Sequence, residues 1–181
     1  MRILAITGLA FAASAFAAPL LNADNAGEDV ISALTTVKGA VDELKGAVKK
    51  VEKADDKAAI EAVHKEADEL TSTIKGAKEK VQKSGSLGSI NALGVIAPTN
   101  DLLGSVTGLV SGILGKKPVL EQSGEIEKLV SALMQHKDES KGLAGAIIAK
   151  LPDVAKDPTK LLTNKIDKDL GKAVKDLKGT A

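Results

Sequence analysis

Residues 84–115 read SGSLGSINALGVIAPTNDLLGSVTGLVSGILG, and in a chain that is 27% charged they carry one ionisable side chain, Asp101. The stretch holds twelve Leu, Ile or Val and seven of the 17 glycines. Fully burying one aliphatic side chain is worth roughly 1.5–3 kcal/mol, so a run of this kind needs an apolar partner. Three partners are open: the rest of the chain, an acyl chain or apolar surface, or a bilayer. A membrane span is disfavoured because Asn91, Pro98, Asn100 and Asp101 interrupt the run, and only 14 residues separate Asp101 from Lys116. A spanning helix needs about 20 apolar residues.

The flanking sequence supplies part of the partner. Upstream, Val30, Leu34, Val37, Val41, Leu44, Val48 and Val51 recur at steps of four and three, a continuous helical stripe. Asp55-Asp56 breaks it and offers a cap to a second helix, in which Ile60, Val63, Ala67, Leu70, Ile74, Ala77 and Val81 repeat the device. Two narrow stripes with a short joint predict an antiparallel pair. Gly and Ser over 84–89 mark a break, Ile90 to Ile96 a short turn of helix, and Ala97-Pro98 a stop. Thr99 or Asn100 then caps a third helix with Leu102, Leu103, Val106, Leu109, Val110, Ile113 and Leu114 inward. Gly104, Gly108 and Gly112 fall four apart on it and would admit a close backbone, and Gly115 would end it.

Downstream of Lys116-Lys117-Pro118 a fourth helix starts near Val119 to Ser123 and stops before Pro152. Its apolar face is Leu120, Ile126, Leu129, Val130, Leu133 and Met134, continuing to Leu143, Ile147, Ile148 and Leu151. Asp157-Pro158 reads as an N-cap and first-turn proline for a last helix through Leu162, Ile166, Leu170, Ala173 and Leu177. No segment alternates as a strand does. The predicted fold class is all-α, an antiparallel bundle of four to five amphipathic helices.

The first residues, Met1-Arg2-Ile3-Leu4-Ala5-Ile6 through Phe16, carry a basic start, a short apolar run and the small-residue site Ala15-Phe16-Ala17. They read as a secretory signal peptide over 1–17, with a single domain over 18–181; a buried N-terminal helix is the alternative. Both phenylalanines and the only arginine lie in that segment. The remainder has no Phe, Tyr, Trp, Cys or Arg, and its 24 Lys balance 24 Asp plus Glu. With no aromatic to stack a base and no net positive field, nucleic-acid binding is not expected. Without cysteine there is no disulfide, and the core must hold by packing. A secreted product, extracellular or in the cell wall, with no transmembrane span is expected.

Chemistry is sparsely supplied. Glu61-x-x-His64 has the spacing of di-iron carboxylate bundles, but His136 is preceded at that spacing by Leu133, so the second half of such a site is missing. No serine lies in a nucleophile elbow, and the glycines near Gly85 and Gly88 follow a helix rather than a strand. No catalytic residue, metal site or cofactor is expected. Lysines interspersed with carboxylates, as at Glu61/Lys65 and Glu79/Lys83, read as solvated faces, with contact to anionic headgroups or wall polymers as the alternative.

Aliphatic walls suit a flexible hydrocarbon, at about 0.8 kcal/mol per buried CH₂. The candidate contact surface is Leu87, Ile90, Leu93 and Ile96, then Leu102, Leu103, Val106, Leu109, Val110, Ile113 and Leu114, with Leu129, Leu133 and Met134 opposite. Its partner would be a hydrophobic surface, lipid or fatty acid. The other reading makes the same residues ordinary core of a structural or antigenic wall protein.

Four motifs in order carry a resemblance. They are Lys116-Lys117-Pro118-Val119-Leu120; Leu129-Val130-x-x-Leu133; Leu143-Ala144-x-Ala146-Ile147-Ile148-Ala149-Lys150-Leu151-Pro152; and Ile166-Asp167-x-Asp169-Leu170-x-x-Ala173. Together they resemble the fungal hydrophobic surface-binding protein A family, which includes cell-wall galactomannoproteins. The resemblance implies a secreted, non-enzymatic helical domain that adsorbs to hydrophobic surfaces or binds lipid. For some members it also implies bringing a secreted polymer-degrading hydrolase to its substrate. Leu170 stands where an aromatic is expected, so aromatic-dependent contacts of relatives do not carry over.

Overall fold

Every position of the first two sequence stripes is buried, and this places the two helices that carry them back to back. In the computed structural model, which describes residues 25–179, they are α1 (Ala26–Lys50) and α2 (Lys57–Lys83). Asp56 caps α2 by accepting the Ala59 N–H at 3.1 Å. Lys80 near the end of α2 reaches Ser32 Oγ and Asp29 near the start of α1, so the pair is antiparallel. The chain continues as α3 (Ser89–Gly94), α4 (Ile96–Gly115), α5 (Lys117–Gln122), α6 (Ile126–Lys150) and α7 (Asp153–Lys178). Five are long, α3 and α5 have six residues each, and no strand occurs among the described residues. The predicted signal peptide, residues 1–17, lies outside the described residues.

The five long helices close into a ring in the order α1, α2, α6, α7, α4 and back to α1. Cross-helix pairs give the directions. His64–Glu125 and Lys78–Glu139 advance together along α2 and the α6 segment, so those two run parallel. Gly108 beside Lys45 and Gly112 beside Val48 set α4 parallel to α1. Asp167 of α7 meets Lys141 while Gly171 lies beside Lys137, so α6 and α7 are antiparallel. The short joints thus produce the expected antiparallel hairpins. The remaining neighbours include parallel pairs because five helices in a closed ring cannot alternate throughout.

Several boundaries differ from the sequence reading, each for a local reason. The break expected at Ala97-Pro98 falls at Val95, which is fully buried and divides α3 from α4. Pro98 is the third residue of α4, where a backbone N–H has no partner within the helix anyway. Thr99 does not cap; its hydroxyl donates to the Val95 carbonyl at 2.8 Å. Gly115 is the last residue of α4 in right-handed conformation, and the left-handed turn comes at Gly124 (φ 76°), dividing α5 from α6. That turn splits what the apolar pattern read as one helix. The last helix starts at Asp153 rather than Asp157, with Pro158 inside it. Pro158 forfeits a bond to the carbonyl of Val154, an exposed residue in the end turn, where the loss is mildest. The Gly104, Gly108 and Gly112 stripe admits no backbone: Gly108 and Gly112 carry the Lys45 and Val48 side chains of α1.

By length and composition Ser89–Gly115 could cross a membrane. In this fold α4 instead packs between α1 and α7, burying Leu102, Val106, Leu109, Val110 and Ile113. One end of the bundle is fastened by Lys150, whose ammonium donates to the Gln82 and Ser84 carbonyls at 2.9 and 2.6 Å while its own carbonyl accepts the Leu87 N–H.

Candidate lipid cavity

A ring of five helices is wider than a four-helix core, and aliphatic side chains without aromatics do not fill it. A cavity of about 290 Å³ remains, lined from all five long helices. Leu34, Val37 and Val41 come from α1, Leu70 and Ile74 from α2, and Leu102, Val106 and Leu109 from α4. Leu143 and Ile147 of α6 and Ile166 and Leu170 of α7 complete the apolar wall. All twelve are buried. The half-buried or exposed lining residues lie on α6 and α7 alone, among them Lys137, Ser140, Lys141, Thr163, Asn164 and Asp167, so the mouth opens between these two helices.

Charge is confined to that mouth. Asp167 Oδ1 lies 3.1 Å from Lys141 Nζ and 3.7 Å from Lys137 Nζ. The glycine at 171 leaves room for Lys137, whose ammonium would stand 3.3 Å from a Cβ there. The second carboxylate of the Ile166-Asp167-x-Asp169-Leu170 motif turns the other way. Asp169 accepts from Thr107 of α4 at 3.1 Å and pairs with Lys165. Two acidic residues two positions apart thus straddle the buried Ile166, Leu170 and Ala173 seam and tie α7 to both neighbours.

Three polar side chains are buried in the wall: Thr99, His136 and Thr159. His136 is 2% exposed, and its Nε2 lies 2.8 Å from the Ala67 carbonyl. A carbonyl only accepts, so Nε2 carries the hydrogen and Nδ1 is a bare acceptor. Burial holds the His136 pKa below the ordinary 6.5, against the opposing pull of the Ala67 bond and Asp68. The folded value therefore lies below the unfolded one. In the window between them the unfolded chain binds a proton that the native one refuses, so stability falls as the pH drops below about 6.5. Urea midpoints measured from about pH 7 to about pH 5 should decline in the wild type and in a His64→Gln control. A His136→Gln variant, which keeps an amide donor for Ala67, should lose part of that slope; an unchanged slope would assign the effect to other groups.

The residues named from sequence scatter. Leu102, Val106 and Leu109 line the cavity. Leu87, Val110, Ile113, Leu129 and Leu133 are buried outside its lining, and Ile96, Leu103 and Leu114 are half-buried. Ile90, Leu93 and Met134 are exposed, at 87%, 67% and 46%. The first two ride on the outer face of the six-residue α3. None of the lining residues on α1, α2, α6 and α7 is among those named from sequence, although the apolar stripes of these helices read as core. The signal for His136 was present: it sits on the stripe of Leu129, Leu133, Leu143 and Ile147, an apolar face where a histidine is out of place.

The histidine of Glu61-x-x-His64 faces the start of α6. His64 Nε2 is 2.9 Å from Glu125 Oε2, and Lys128 pairs with the same carboxylate and, with His64, lowers its pKa. Glu43, Glu66 and Glu69 approach one another on the surface, and Lys65 bridges the latter two.

Comparison with known proteins places this geometry. The family model described as hydrophobic surface binding protein A matches residues 27–149. Cell wall mannoprotein 1 of Aspergillus flavus is 27% identical over 174 residues, covering 96% of this chain, while the chain spans 62% of that relative's length. Among solved structures, Afmp4p in complex with palmitic acid superposes with a TM-score of 0.78 at 20% identity, covering 83% of this chain and 99% of that one. Ligand binding domain 1 of Penicillium marneffei MP1, complexed with arachidonic acids, gives 0.78 at 15% identity over 86% of this chain and 99% of that one. Domain 2 of the same protein, with multiple arachidonic acids, gives 0.78 at 19% over 84% and 96%. At these identities the structural likeness is one of fold.

Proposed function

This chain belongs to the hydrophobic surface binding protein A family, and from that premise we propose that it is a secreted, non-enzymatic lipid-binding domain that encloses a fatty acyl chain within its helix ring. The observation that carries the proposal is the cavity: its interior wall is aliphatic, and its charged groups are gathered at one mouth. A hydrocarbon chain entering between α6 and α7 would exchange water for Leu, Val and Ile, gaining about 0.8 kcal/mol per methylene. Its carboxylate would stay at the mouth, where Lys137 and Lys141 lie beside Asp167. The solved relatives named above hold palmitic and arachidonic acid, which supports an acyl ligand here.

In this reading residues 1–17 are the leader, residues 18–181 form one domain, and the product is released or held in the wall. Of the residues named from sequence, Leu102, Val106 and Leu109 would touch the ligand. Ile90 and Leu93 would serve adsorption to an apolar surface rather than uptake. Recruitment of a polymer-degrading hydrolase is a separate activity that the cavity does not require.

Native mass spectrometry of the secreted protein titrated with palmitic acid tests the proposal. A saturable complex of fixed stoichiometry is the expected result; uptake that never saturates would point to surface adsorption alone. Protein must be quantified without near-ultraviolet absorbance, since the chain has no Trp or Tyr.

A further inference from the structure

The lysines and the aspartate that line the cavity all stand at its mouth: Lys137 and Lys141 of α6 and Asp167 of α7. The two lysines are one helical turn apart, so both ammonium groups reach the same side of the opening. Asp167 Oδ1 lies 3.1 Å from Lys141 Nζ and 3.7 Å from Lys137 Nζ, one oxygen beside two cations. Asp169, two positions on, faces Thr107 and Lys165 instead, so Asp167 is the carboxylate that belongs to the mouth. Acyl binding as proposed above uses the lysines and leaves Asp167 without a task.

An ammonium only donates and a carboxylate only accepts, so Asp167 and a ligand carboxylate call on the same two lysines. These side chains are part-exposed, 31% for Asp167, 29% for Lys137 and 55% for Lys141. Ion pairs that water reaches contribute little to stability, so the existing pairs give way at small cost. Where both carboxylates stay, they repel. We propose that Asp167 is a resident competitor for the lipid headgroup, lowering affinity for anionic lipids in proportion to their charge and so biasing the mouth toward a carboxylate and against a phosphate monoester. This rests on the lipid-binding reading above and adds what sets its headgroup preference. Two carboxylates sharing a pair of ammonium groups lie about 5 Å apart, where repulsion at the dielectric of water corresponds to roughly four-fold in Kd. A phosphate monoester carries about −1.5 to −2 charges, which raises that factor to roughly eight- to sixteen-fold.

The test compares the wild type with Asp167→Asn, which keeps the shape and removes the charge. Isothermal titration at low ionic strength uses dodecanoic acid, dodecyl phosphate and dodecanol, which share one hydrocarbon chain. The variant should bind dodecanoic acid roughly four-fold more tightly and dodecyl phosphate roughly ten-fold, with dodecanol unchanged. Asp167→Ser removes the same charge with less bulk and should give the same order. A merely structural role for Asp167 would shift all three ligands alike, and a role in holding the lysines in place would weaken both anions; either result overturns the inference. Each comparison is a ratio between ligands on one protein, so a partly unfolded variant does not imitate the pattern. If dodecanol and both anions fail to bind the wild type saturably, the lipid-binding reading itself fails and takes the inference with it.

Discussion

Filling the cavity from two sides with Val106→Phe and Ala144→Phe is expected to weaken fatty-acid binding at least ten-fold at retained helicity. Both residues line the cavity, one on α4 and one on α6 beside the mouth. Each enlarged side chain occupies space that methylenes of the ligand would take. Excluding three methylenes removes about 2.4 kcal/mol of transfer free energy. A factor of ten needs only about 1.4 kcal/mol. The same change should leave thermal stability equal or raised, because filling an existing void restores lost packing contacts. The two readouts moving in opposite directions would separate a blocked cavity from a damaged fold. Isothermal titration with palmitic acid, alongside melting followed by circular dichroism, measures both. Wild-type affinity in the folded double variant would remove the cavity as the binding site.

The second large effect concerns a residue that the sequence grouped with the ligand-binding set. Leu133 is fully buried on α6, outside the cavity lining. Truncation to alanine there opens a void among packed neighbours, and Leu133→Ala should cost roughly 2–5 kcal/mol. Its sequence neighbour Met134 is 46% exposed, so Met134→Ala should change stability by no more than about 0.5 kcal/mol. Urea denaturation followed by far-ultraviolet circular dichroism reads the contrast. Equal midpoints for the two variants would show that Leu133 is not part of the rigid core.

That contrast shows what was legible in the sequence. The α1 and α2 stripes, the Asp56 cap and the apolar seam of α7 are local features, set by the helical period and by residues that satisfy their own backbone. Each is found where the sequence placed it. Closure into a ring is not local. It depends on α4 returning beside α1 and on α6 lying parallel to α2, held by pairs such as His64–Glu125 and Lys78–Glu139, separated by 61 positions each. The composition of the central segment calls for an apolar partner, but spacing cannot tell a stripe that faces a void from one that faces another side chain. Hence Val106 and Leu109 line the cavity while Val110 and Ile113, one turn further on, are plain core. The prolines misled for a related reason. Pro98 and Pro158 sit where the helix loses little by their presence, so they mark early turns rather than boundaries.

In the proposed complex the acyl chain lies inside the ring rather than on its outer face. Isotope-filtered nuclear Overhauser spectroscopy with carbon-labelled palmitic acid tests this most directly. Methylene signals of the bound chain should cross-relax with methyl groups of Val106, Leu109 and Ile147, and not with those of Ile90 and Leu93. Contacts confined to Ile90 and Leu93, with none to the three interior residues, would contradict it.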